Sequence, residues 1–433
     1  MIKKTFLYVS ILFVCILSLV TTIYAQKAPK AARQEPIVIC TVAPLTGLFS
    51  AVGTSMVRGA EMAARIINEE EGGIMGRPIK IISRDTEIRP ATAIRISREA
   101  HDSQGAYLFT GVCSSSVALA LGPVMEELDS ILFSTICRSD KIVGTGFNKH
   151  VFLAANTTQV REFALAGFIH QNFPAVKKWA NIGPDYEYGH SSWRNFIYKL
   201  KERNPEVKVV SSRYTPFGAG GGYGPHITAI LTAEPEGLFT PLYGGDLIAF
   251  IREAKEHGLF EKIKVFAHPN FEWNNALVLG ANVPNICATE FYLRSLYNYP
   301  PSRKYEETFI KDGGEKYFLI NQGSSVTDFA AVYAYKAAIE KVKSFKVKDI
   351  IKGLEDLRWD TPKGKMWIRP GDHQAYFGIP AFQVIPDEAQ PYGYRVGVKT
   401  IMPATDFMLP VDKTREWDRI LDEWVKKNPD IGG

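Results

Sequence analysis

A run of hydroxyl-bearing residues lies where a predicted strand passes into a predicted helix. Residues Thr110–Ser116 read Thr-Gly-Val-Cys-Ser-Ser-Ser, between the apolar run Ala106–Phe109 and the helix-like run Val117–Leu128. The first turn of a helix has unpaired backbone N–H groups and the positive end of the helix dipole. Serine hydroxyls beside those amides add donors, so the segment suits a small anion, above all a carboxylate. The same serines could also cap the helix, and capping and binding can coexist.

The chain lacks the residue patterns of common catalytic and metal sites. Gly189-His-Ser-Ser192 has no final glycine and so is not the nucleophile elbow of a hydrolase. The glycine-rich segment Gly218–Gly224 lacks the Lys-Ser/Thr of a phosphate-binding loop and is interpreted as a flexible surface loop. The histidines and cysteines show no metal-ligand spacing. We therefore predict a binding protein and not an enzyme, with no metal and no cofactor.

Short apolar runs alternate with helix-like segments along most of the chain. The predicted strands are Ile37–Val42, Ile79–Ile82, Ala106–Phe109, Ile131–Ser134, Trp179–Ile182, Val207–Val210, Leu238–Leu242, Ile263–Ala267, Thr289–Leu293 and Phe382–Ile385. This alternation indicates parallel sheets with helical crossovers. It restarts near Trp179, and 433 residues suit two domains better than one. An amphipathic helix is predicted at Asp412–Lys427, near the C-terminus.

The first 25 residues differ in character from the rest. Lys3 and Lys4 precede an almost unbroken apolar run, Phe6–Val20, and Ala25 offers a small residue for cleavage. This is the layout of a secretory signal peptide, and the run is shorter than the ~20 residues that a membrane span needs. Cleavage removes two lysines and no acidic residue, which lowers the formal charge from +5 to +3. Because the basic residues are scattered, nucleic acid is not expected as a partner.

Four cysteines remain after this cleavage: Cys40, Cys113, Cys137 and Cys287. Cys113 and Cys137 each follow a predicted strand, so a disulfide between them is one prediction for an exported protein. The alternative is that all four are small buried core residues.

Several short motifs follow one another in order between Ile37 and Ile385. They are Pro44-Leu-Thr-Gly47, Gly53, Arg58-Gly-Ala-Glu61, Gly72-Gly-Ile-Met-Gly-Arg-Pro78, Asp85, Pro90-Ala91, Gly111-Val-Cys-Ser-Ser-Ser116, Asp185-Tyr-Glu-Tyr-Gly189, Phe250–Gly258, Asp360–Met366 and Gly371-Asp-His-Gln374. Each motif is weak alone, but their order and spacing are specific. Together they resemble the leucine/isoleucine/valine-binding proteins, the periplasmic receptors of branched-chain amino-acid ABC transporters.

The resemblance implies an α/β fold of two Rossmann-like lobes with parallel sheets, joined by three crossover strands. This is the type I periplasmic-binding-protein, or Venus-flytrap, fold. Residues 36–155 and 290–376 would form lobe 1. Residues 156–289 and 377–433 would form lobe 2, with a C-terminal helical tail. In this fold the ligand lies between the lobes, which close over it.

On the first lobe, the resemblance implies that the hydroxyl of Ser114, with Ser115 beside it, binds the ligand carboxylate. The loop after the next strand would add Cys137 through its backbone amide and Ser139 through its hydroxyl. Arg138 departs from the small residue that is common at its position. Its guanidinium could bind a carboxylate in a forked geometry, or it could point away into solvent.

On the second lobe, Tyr188 and Tyr243 match aromatic residues that cover the ligand, with core packing as the alternative. The family pairs the ligand ammonium with an acidic residue of this lobe. One alignment places Asn270 there, with Glu272 two residues further on. If Asn270 is the equivalent residue, the ligand lacks an α-amino group; if Glu272 serves instead, an amino acid is expected.

The expected function is that of an extracytoplasmic solute-binding protein of an ABC importer. It would bind a small carboxylate-bearing ligand, an amino acid of the branched-chain type by resemblance, through hinge closure. The alternatives are an aromatic or aliphatic carboxylic acid without an amino group, and a ligand-sensing receptor of the same fold. The expected partners are the ligand and ABC permease subunits in the membrane, and the protein itself would be a periplasmic monomer.

Overall fold

The computed structural model describes residues 35–313, 323–390 and 392–431. The signal peptide predicted at residues 1–25 lies outside these residues. Within the described ranges, no helix is both long and apolar enough to span a bilayer. The chain forms two α/β lobes, each built on one large sheet, with a cleft between them.

The strands occur throughout the described chain, and their bounds agree with most of the predicted runs to within a few residues. In chain order they are β1 Ile37–Ala43, β2 Ile79–Asp85, β3 Leu108–Gly111, β4 Ile131–Ser134, β5 Val151–Leu153, β6 Lys178–Pro184, β7 Lys208–Thr215, β8 Gly237–Phe239, β9 Val265–His268, β10 Ile286–Thr289, β11 Arg358–Thr361, β12 Gly364–Ile368, β13 Ala375–Tyr376, β14 Ile379–Pro386 and β15 Tyr394–Met402.

The helices alternate with these strands through most of the described chain. In chain order they are α1 Ser50–Glu70, α2 Pro90–Gln104, α3 Ser115–Glu127, α4 Thr158–Asn172, α5 Glu187–Arg203, α6 Gly224–Thr232, α7 Gly244–Glu256, α8 Trp273–Leu279, α9 Pro300–Lys311, α10 Gly323–Val342, α11 Val347–Leu354 and α12 Val411–Lys426.

The sheet of the first lobe is parallel throughout, in the order β2-β1-β3-β4-β5. Every residue of β1, β3, β4 and β5 is buried. Helices cover both faces of such a sheet, which is why its inner strands appear in the sequence as unbroken apolar runs. Where α1 meets α10, a side chain at Gly59 would collide with the backbone of Ser325, so glycine permits this close approach.

The sheet of the second lobe has seven strands in the order β15-β14-β10-β9-β8-β6-β7. Strands β6 to β10 are parallel, whereas β14 and β15 pair antiparallel at one end. One expectation is corrected here. The strand predicted at Thr289–Leu293 lies earlier, at β10, and the edge strand β15 was not predicted. Much of β15 is exposed, so it lacks the apolar run that identifies inner strands.

Three connections join the two sheets: after β5, after β10 and between β13 and β14. Strand β13 belongs to a small antiparallel sheet with β11 and β12. Two of these connections, the one after β5 and the one between β13 and β14, lie close together, since the Asn156 side-chain amide donates to the carbonyl oxygen of Phe377 over 3.2 Å. The residue limits of the two lobes stay a prediction.

The C-terminal segment, which contains α12, packs against both lobes. Trp417 is buried against the rings of Phe163 and Tyr198, and its Nε1 donates to the Asn195 side chain over 2.8 Å. The next residue of the same helix, Asp418, accepts a 2.7 Å hydrogen bond from Thr145. The predicted amphipathic helix therefore fastens the tail to the body of the protein.

Candidate ligand-binding site

A cavity with about 480 Å³ of empty space, which includes open solvent, lies between the two lobes. Its walls come from helix α1 and from loops that follow β3, β4, β6, β8 and β9. These are the carboxyl ends of parallel strands, where open α/β sheets leave a crevice for ligands. The lining residues are Val52, Cys113, Ser115, Ile136, Cys137, Arg138, Tyr186, Tyr188, Tyr243, Gly244, Asn270, Glu272 and Asn275.

The structure brings seven of the nine predicted site residues to this cavity. They are Ser115, Cys137, Arg138, Tyr188, Tyr243, Asn270 and Glu272. Ser114 and Ser139 are not among the lining residues. Direct contact of any of the nine with a ligand stays a prediction.

The serine run begins helix α3, as its position after a strand indicated. Ser114 is the extended residue that precedes the helix, and its side chain makes no capping hydrogen bond. Ser115 occupies the first helical position, and its hydroxyl accepts a 3.3 Å hydrogen bond from the backbone N–H of Ser139. The Ser139 hydroxyl is directed across the cleft, where it donates to Glu187 over 3.0 Å. The hydroxyl that lines the cavity in this run is therefore that of Ser115.

Arg138 is buried on the cavity wall, so the solvated, outward-pointing alternative is wrong. Its Nη1 and Nε donate to the carbonyl oxygens of Pro269 and Ile136, each over a long 3.4 Å. The guanidinium carbon lies 5.6 Å from the ring centre of Tyr188. Since Pro269 belongs to the opposite lobe, Arg138 reaches across the cleft and presents a cation inside it.

Three tyrosines form the aromatic part of the cavity wall. The hydroxyls of Tyr186 and Tyr243 are 3.1 Å apart, and the ring of Tyr188 meets that of Tyr243 edge-on at 6.0 Å. Burial raises the pKa of Tyr188 to about 12, so its hydroxyl stays neutral. These rings offer flat apolar surface with neutral hydrogen-bonding tips, which suits a surface that closes over a ligand.

Glu272 gives the cavity a carboxylate opposite in sign to Arg138. It is buried, and it accepts hydrogen bonds from the Asn270 side-chain nitrogen at 3.2 Å and from the Ser324 hydroxyl at 3.1 and 3.2 Å. Burial raises its pKa, against the opposing effect of these hydrogen bonds and of the nearby guanidinium groups. Asn270 also lines the cavity. Both candidates for the position that pairs the ligand ammonium, Asn270 and Glu272, are therefore present at the site.

The thiols at the cavity are unpaired. All four described cysteines are free and buried, so the predicted Cys113–Cys137 disulfide is wrong. Cys137 instead donates to the backbone oxygen of Val112 over 3.2 Å. Burial raises the pKa of Cys113 to about 12, and the Glu272 charge adds to this, so the thiol stays protonated.

Sequence reasoning missed several residues of the site. Tyr186 could have been found, because it lies in the motif Asp185–Gly189 that was singled out. Four further charged side chains are buried, and no sequence signal indicated their burial: Arg161, Glu162, Glu290 and Lys363. In the described residues, no group of three or more His, Cys, Asp and Glu side chains is placed to hold a metal ion.

The fold and this cavity define a two-lobed binding protein. A family model described as a periplasmic binding protein matches residues 36–389, and the chain belongs to that family. The resemblance drawn from the sequence motifs is thereby confirmed.

Among curated proteins, the chain is similar to Leu/Ile/Val-binding protein homolog 4 of Brucella abortus. The two are 23% identical over 365 residues, which cover 80% of this chain and 83% of the relative.

Among solved structures, the fold is similar to an amino acid ABC transporter substrate-binding protein from Pseudomonas fluorescens Pf-5. The TM-score is 0.74 and the identity 20%, covering 88% of this chain and 98% of that one. It is also similar to an R. palustris ABC-transporter solute-binding protein in complex with 4-hydroxybenzoate. There the TM-score is 0.73 and the identity 17%, covering 86% of this chain and 98% of the other.

Proposed function

We propose that this protein is the extracytoplasmic solute-binding protein of an ABC importer and that its ligand is a small α-amino acid. One observation carries the choice of ligand: Arg138 and Glu272 are both buried on the wall of the same cavity. An amino acid is a zwitterion, so its carboxylate pairs with the guanidinium and its ammonium with the carboxylate. Charge-assisted hydrogen bonds of this kind are stronger than neutral ones.

The rest of the cavity suits an apolar ligand side chain. Val52, Ile136 and the three tyrosine rings surround the two charged groups. A branched aliphatic side chain gains free energy by leaving water for such a surface, at roughly 25 cal/mol for each Å² of apolar surface that it buries. The protein names of the relatives, which refer to leucine, isoleucine and valine, agree with this proposal.

Ligand binding would act by closing the hinge. The ligand groups face residues of both lobes, so bound ligand favours the closed arrangement through contacts that the open arrangement lacks. We propose the lobes as residues 36–155 with 290–376 and residues 156–289 with 377–433. A periplasmic monomer would then deliver the ligand to ABC permease subunits in the membrane.

The cavity contains groups for holding a ligand and not for attacking one. The thiols of Cys113 and Cys137 stay protonated because burial raises the pKa of each. No histidine is among the residues that line the cavity in the described part of the chain. A role in binding without covalent chemistry is what this set of groups supports.

An aromatic carboxylic acid is the second candidate. It is favoured by the three tyrosine rings on the wall and by the fold shared with a protein bound to 4-hydroxybenzoate. Arg138 would bind its carboxylate, and Glu272 would have no ammonium partner. A neutral, protonated Glu272 could then donate to a phenol oxygen.

A thermal-shift screen separates the candidates. At one hundred times its dissociation constant, a ligand stabilises the folded protein by about 3 kcal/mol. We expect leucine, isoleucine or valine to raise Tm by several degrees, and 4-hydroxybenzoate to have no effect. The reverse pattern would favour the aromatic acid. An unchanged Tm with every amino acid and carboxylic acid tested would refute the proposal. Arg138→Met should abolish either response, and Arg358→Met, which changes an exposed arginine stacked on Trp367, serves as the control.

A further inference from the structure

A continuous chain of hydrogen bonds runs from the interior of the second lobe to the carboxylate of Glu272. It begins at Arg161 in helix α4, which is fully buried. Its Nη1 donates to the Asn270 side-chain oxygen at 3.3 Å, and the Asn270 side-chain nitrogen donates to Glu272 at 3.2 Å. Ser324, at the start of α10 in the other lobe, holds Glu272 from the opposite side.

The direction of this chain is fixed by the charged groups at its two ends. A guanidinium has only donors, so the side-chain oxygen of Asn270 has to face Arg161. The nitrogen of the same amide then has to face Glu272, and it donates there. An ionised Glu272 only accepts and favours the same orientation, so without Arg161 the amide would lose one of the two charged groups that hold it in place.

The backbone of Asn270 is held as firmly as its side chain. Its N–H donates to Nδ1 of His268 over 3.0 Å, while Nε2 of the same ring faces the carbonyl oxygen of Leu242 at 2.7 Å. Since a backbone N–H can only donate, Nδ1 is an acceptor and the proton lies on Nε2. Burial lowers the pKa of His268 to about 3, which keeps this ring neutral.

Arg161 uses only one of its three guanidinium nitrogens, Nη1, for the hydrogen bonds of the described residues. Its Nη1 also donates to the carbonyl oxygen of Pro269 at 3.0 Å, and its guanidinium carbon lies 4.3 Å from the ring centre of Phe291. Its Nε and Nη2 have no hydrogen-bond partner among the described residues. A guanidinium that served packing alone would be costly here, because buried donors without partners are unfavourable. The hydrogen bond from Nη1 to the Asn270 side chain therefore indicates that Arg161 acts on Asn270.

We infer that Arg161 is a positioning residue that orients the Asn270 amide, so that this amide and Ser324 together hold Glu272 towards the ammonium group of the ligand. The inference rests on the proposed function. It assigns the recognition of the amine to Glu272 and gives Asn270 a supporting role. It also makes Ser324 a contact through which the other lobe adds to the same recognition.

The test compares two ligands that differ only in the amine. Leucine and 4-methylpentanoate share one carbon skeleton and one carboxylate, and phenylalanine with 3-phenylpropanoate forms a second pair. Dissociation constants are measured by isothermal titration calorimetry for the wild type, Arg161→Gln, Arg161→Lys, Asn270→Leu and Ser324→Ala. The wild type should prefer the amino acid of a pair by at least about tenfold, the scale of one charge-assisted contact.

In Arg161→Gln, this preference should fall about tenfold, with the affinity for the acid lacking the amine almost unchanged. Arg161→Lys keeps a positively charged donor on a longer side chain than glutamine and should restore part of the preference. Asn270→Leu and Ser324→Ala should act in the same direction, and they provide the test should Arg161→Gln fail to fold. Arg369→Gln is the matched control, since Arg369 is a buried arginine that bonds Asp372 and the Leu409 carbonyl away from the cavity. It should lower Tm and leave the preference as it is.

Other outcomes would overturn the inference, and they are distinguishable. Equal losses for both members of a pair in Arg161→Gln would mean that Arg161 only supports the fold. The wild type could instead bind the acids without an amine as tightly as the amino acids. That result would show that Glu272 does not recognise an ammonium group, while binding of the carboxylate would remain supported. A wild type that binds no member of either pair, and no amino acid or carboxylic acid in the thermal-shift screen, would overturn the proposed function together with the inference.

Discussion

Phe49 of the first lobe stacks on Phe217 of the second, with ring centres 4.9 Å apart and ring planes inclined by 25°. The Phe49 ring also lies 5.0 Å from Tyr243 of the cavity wall. A side chain at Gly244, which has a φ of +56°, would collide with the Phe49 ring. These contacts join the lobes at the edge of the cavity, so opening of the proposed hinge would break them.

Phe49→Ala should therefore weaken ligand binding without changing any group that touches the ligand. Burying a phenylalanine side chain stabilises by roughly 1.5–3 kcal/mol, and losing that from the closed state alone raises Kd by about tenfold or more. Calorimetric titration of the ligand found in the thermal-shift screen measures this. Phe260→Ala, which removes a ring packed on Phe266 inside the second lobe, should lower Tm and leave Kd nearly unchanged. Equal affinities of Phe49→Ala and the wild type would show that the stacked rings do not help closure.

Arg138→Met should reduce affinity for every carboxylate ligand, whether or not it carries an amine. The substitution keeps a long side chain and removes the charge, so the loss reports on the guanidinium. Hydrogen bonds to charged groups contribute about 1.5–3 kcal/mol, which corresponds to a Kd that rises by about ten- to a hundredfold. Glu272→Gln should instead weaken binding of amino acids selectively. If Arg138→Met and the wild type bound a carboxylate equally, the anion would be held elsewhere, with Ser115 as the first residue to test.

The sequence predicted the inner strands well, because buried parallel strands leave unbroken apolar runs. Strand β4, Ile131–Ser134, has the predicted bounds. Strand β15 has a mixed pattern, since it lies at a sheet edge and pairs on one side only. Such a strand forms because it pairs with β14, and its own sequence lacks the apolar run by which inner strands are predicted.

Prediction of the site depended on where each residue lies relative to a strand end. Arg138 and Tyr188 lie shortly after strands β4 and β6, so position and the family resemblance both led to them. Arg161 lies within a helix, where a charged residue ordinarily marks a solvent-exposed face. Its burial depends on Phe291 and Asn270, which are more than one hundred residues away in the chain. No local pattern could have indicated that contact.

Asp140 should make the stability of the protein depend on pH. Its carboxylate is buried beneath helices α4 and α5, where it accepts hydrogen bonds from the Gln159 backbone and from the side chains of Thr158, Ser191 and Asn195. Burial raises its pKa from 3.8 to about 6, against the opposing effect of these hydrogen bonds. The folded protein then binds more protons than the unfolded chain between these values, and the stability contributed by Asp140 falls as the pH rises through that window.

Asp140→Asn should remove that dependence. Between pH 4 and pH 7, the stability of the wild type relative to Asp140→Asn should fall by on the order of 3 kcal/mol, as a shift of about two pKa units implies. Urea denaturation of both proteins at several pH values measures the difference. Asp129→Asn, at an exposed turn, is the control and should run parallel to the wild type. A wild type that gained stability relative to Asp140→Asn with rising pH would mean that the hydrogen bonds outweigh burial.

Trp417 should be the residue on which attachment of the C-terminal helix most depends. Its ring is buried between Phe163 and Tyr198, and its Nε1 donates to Asn195, which also bonds Asp140. Trp417→Ala removes a large buried side chain at a cost of about 3–5 kcal/mol, whereas Trp417→Phe keeps a ring and loses the hydrogen bond for about 1 kcal/mol. Tm should therefore fall strongly in the first variant and slightly in the second. Limited proteolysis should cleave Trp417→Ala near residue 404 and spare Trp417→Phe. Because the cavity lies outside this contact, both variants should still bind ligand at low temperature, and a loss of binding in Trp417→Phe would show that the helix helps to set the geometry of the cleft.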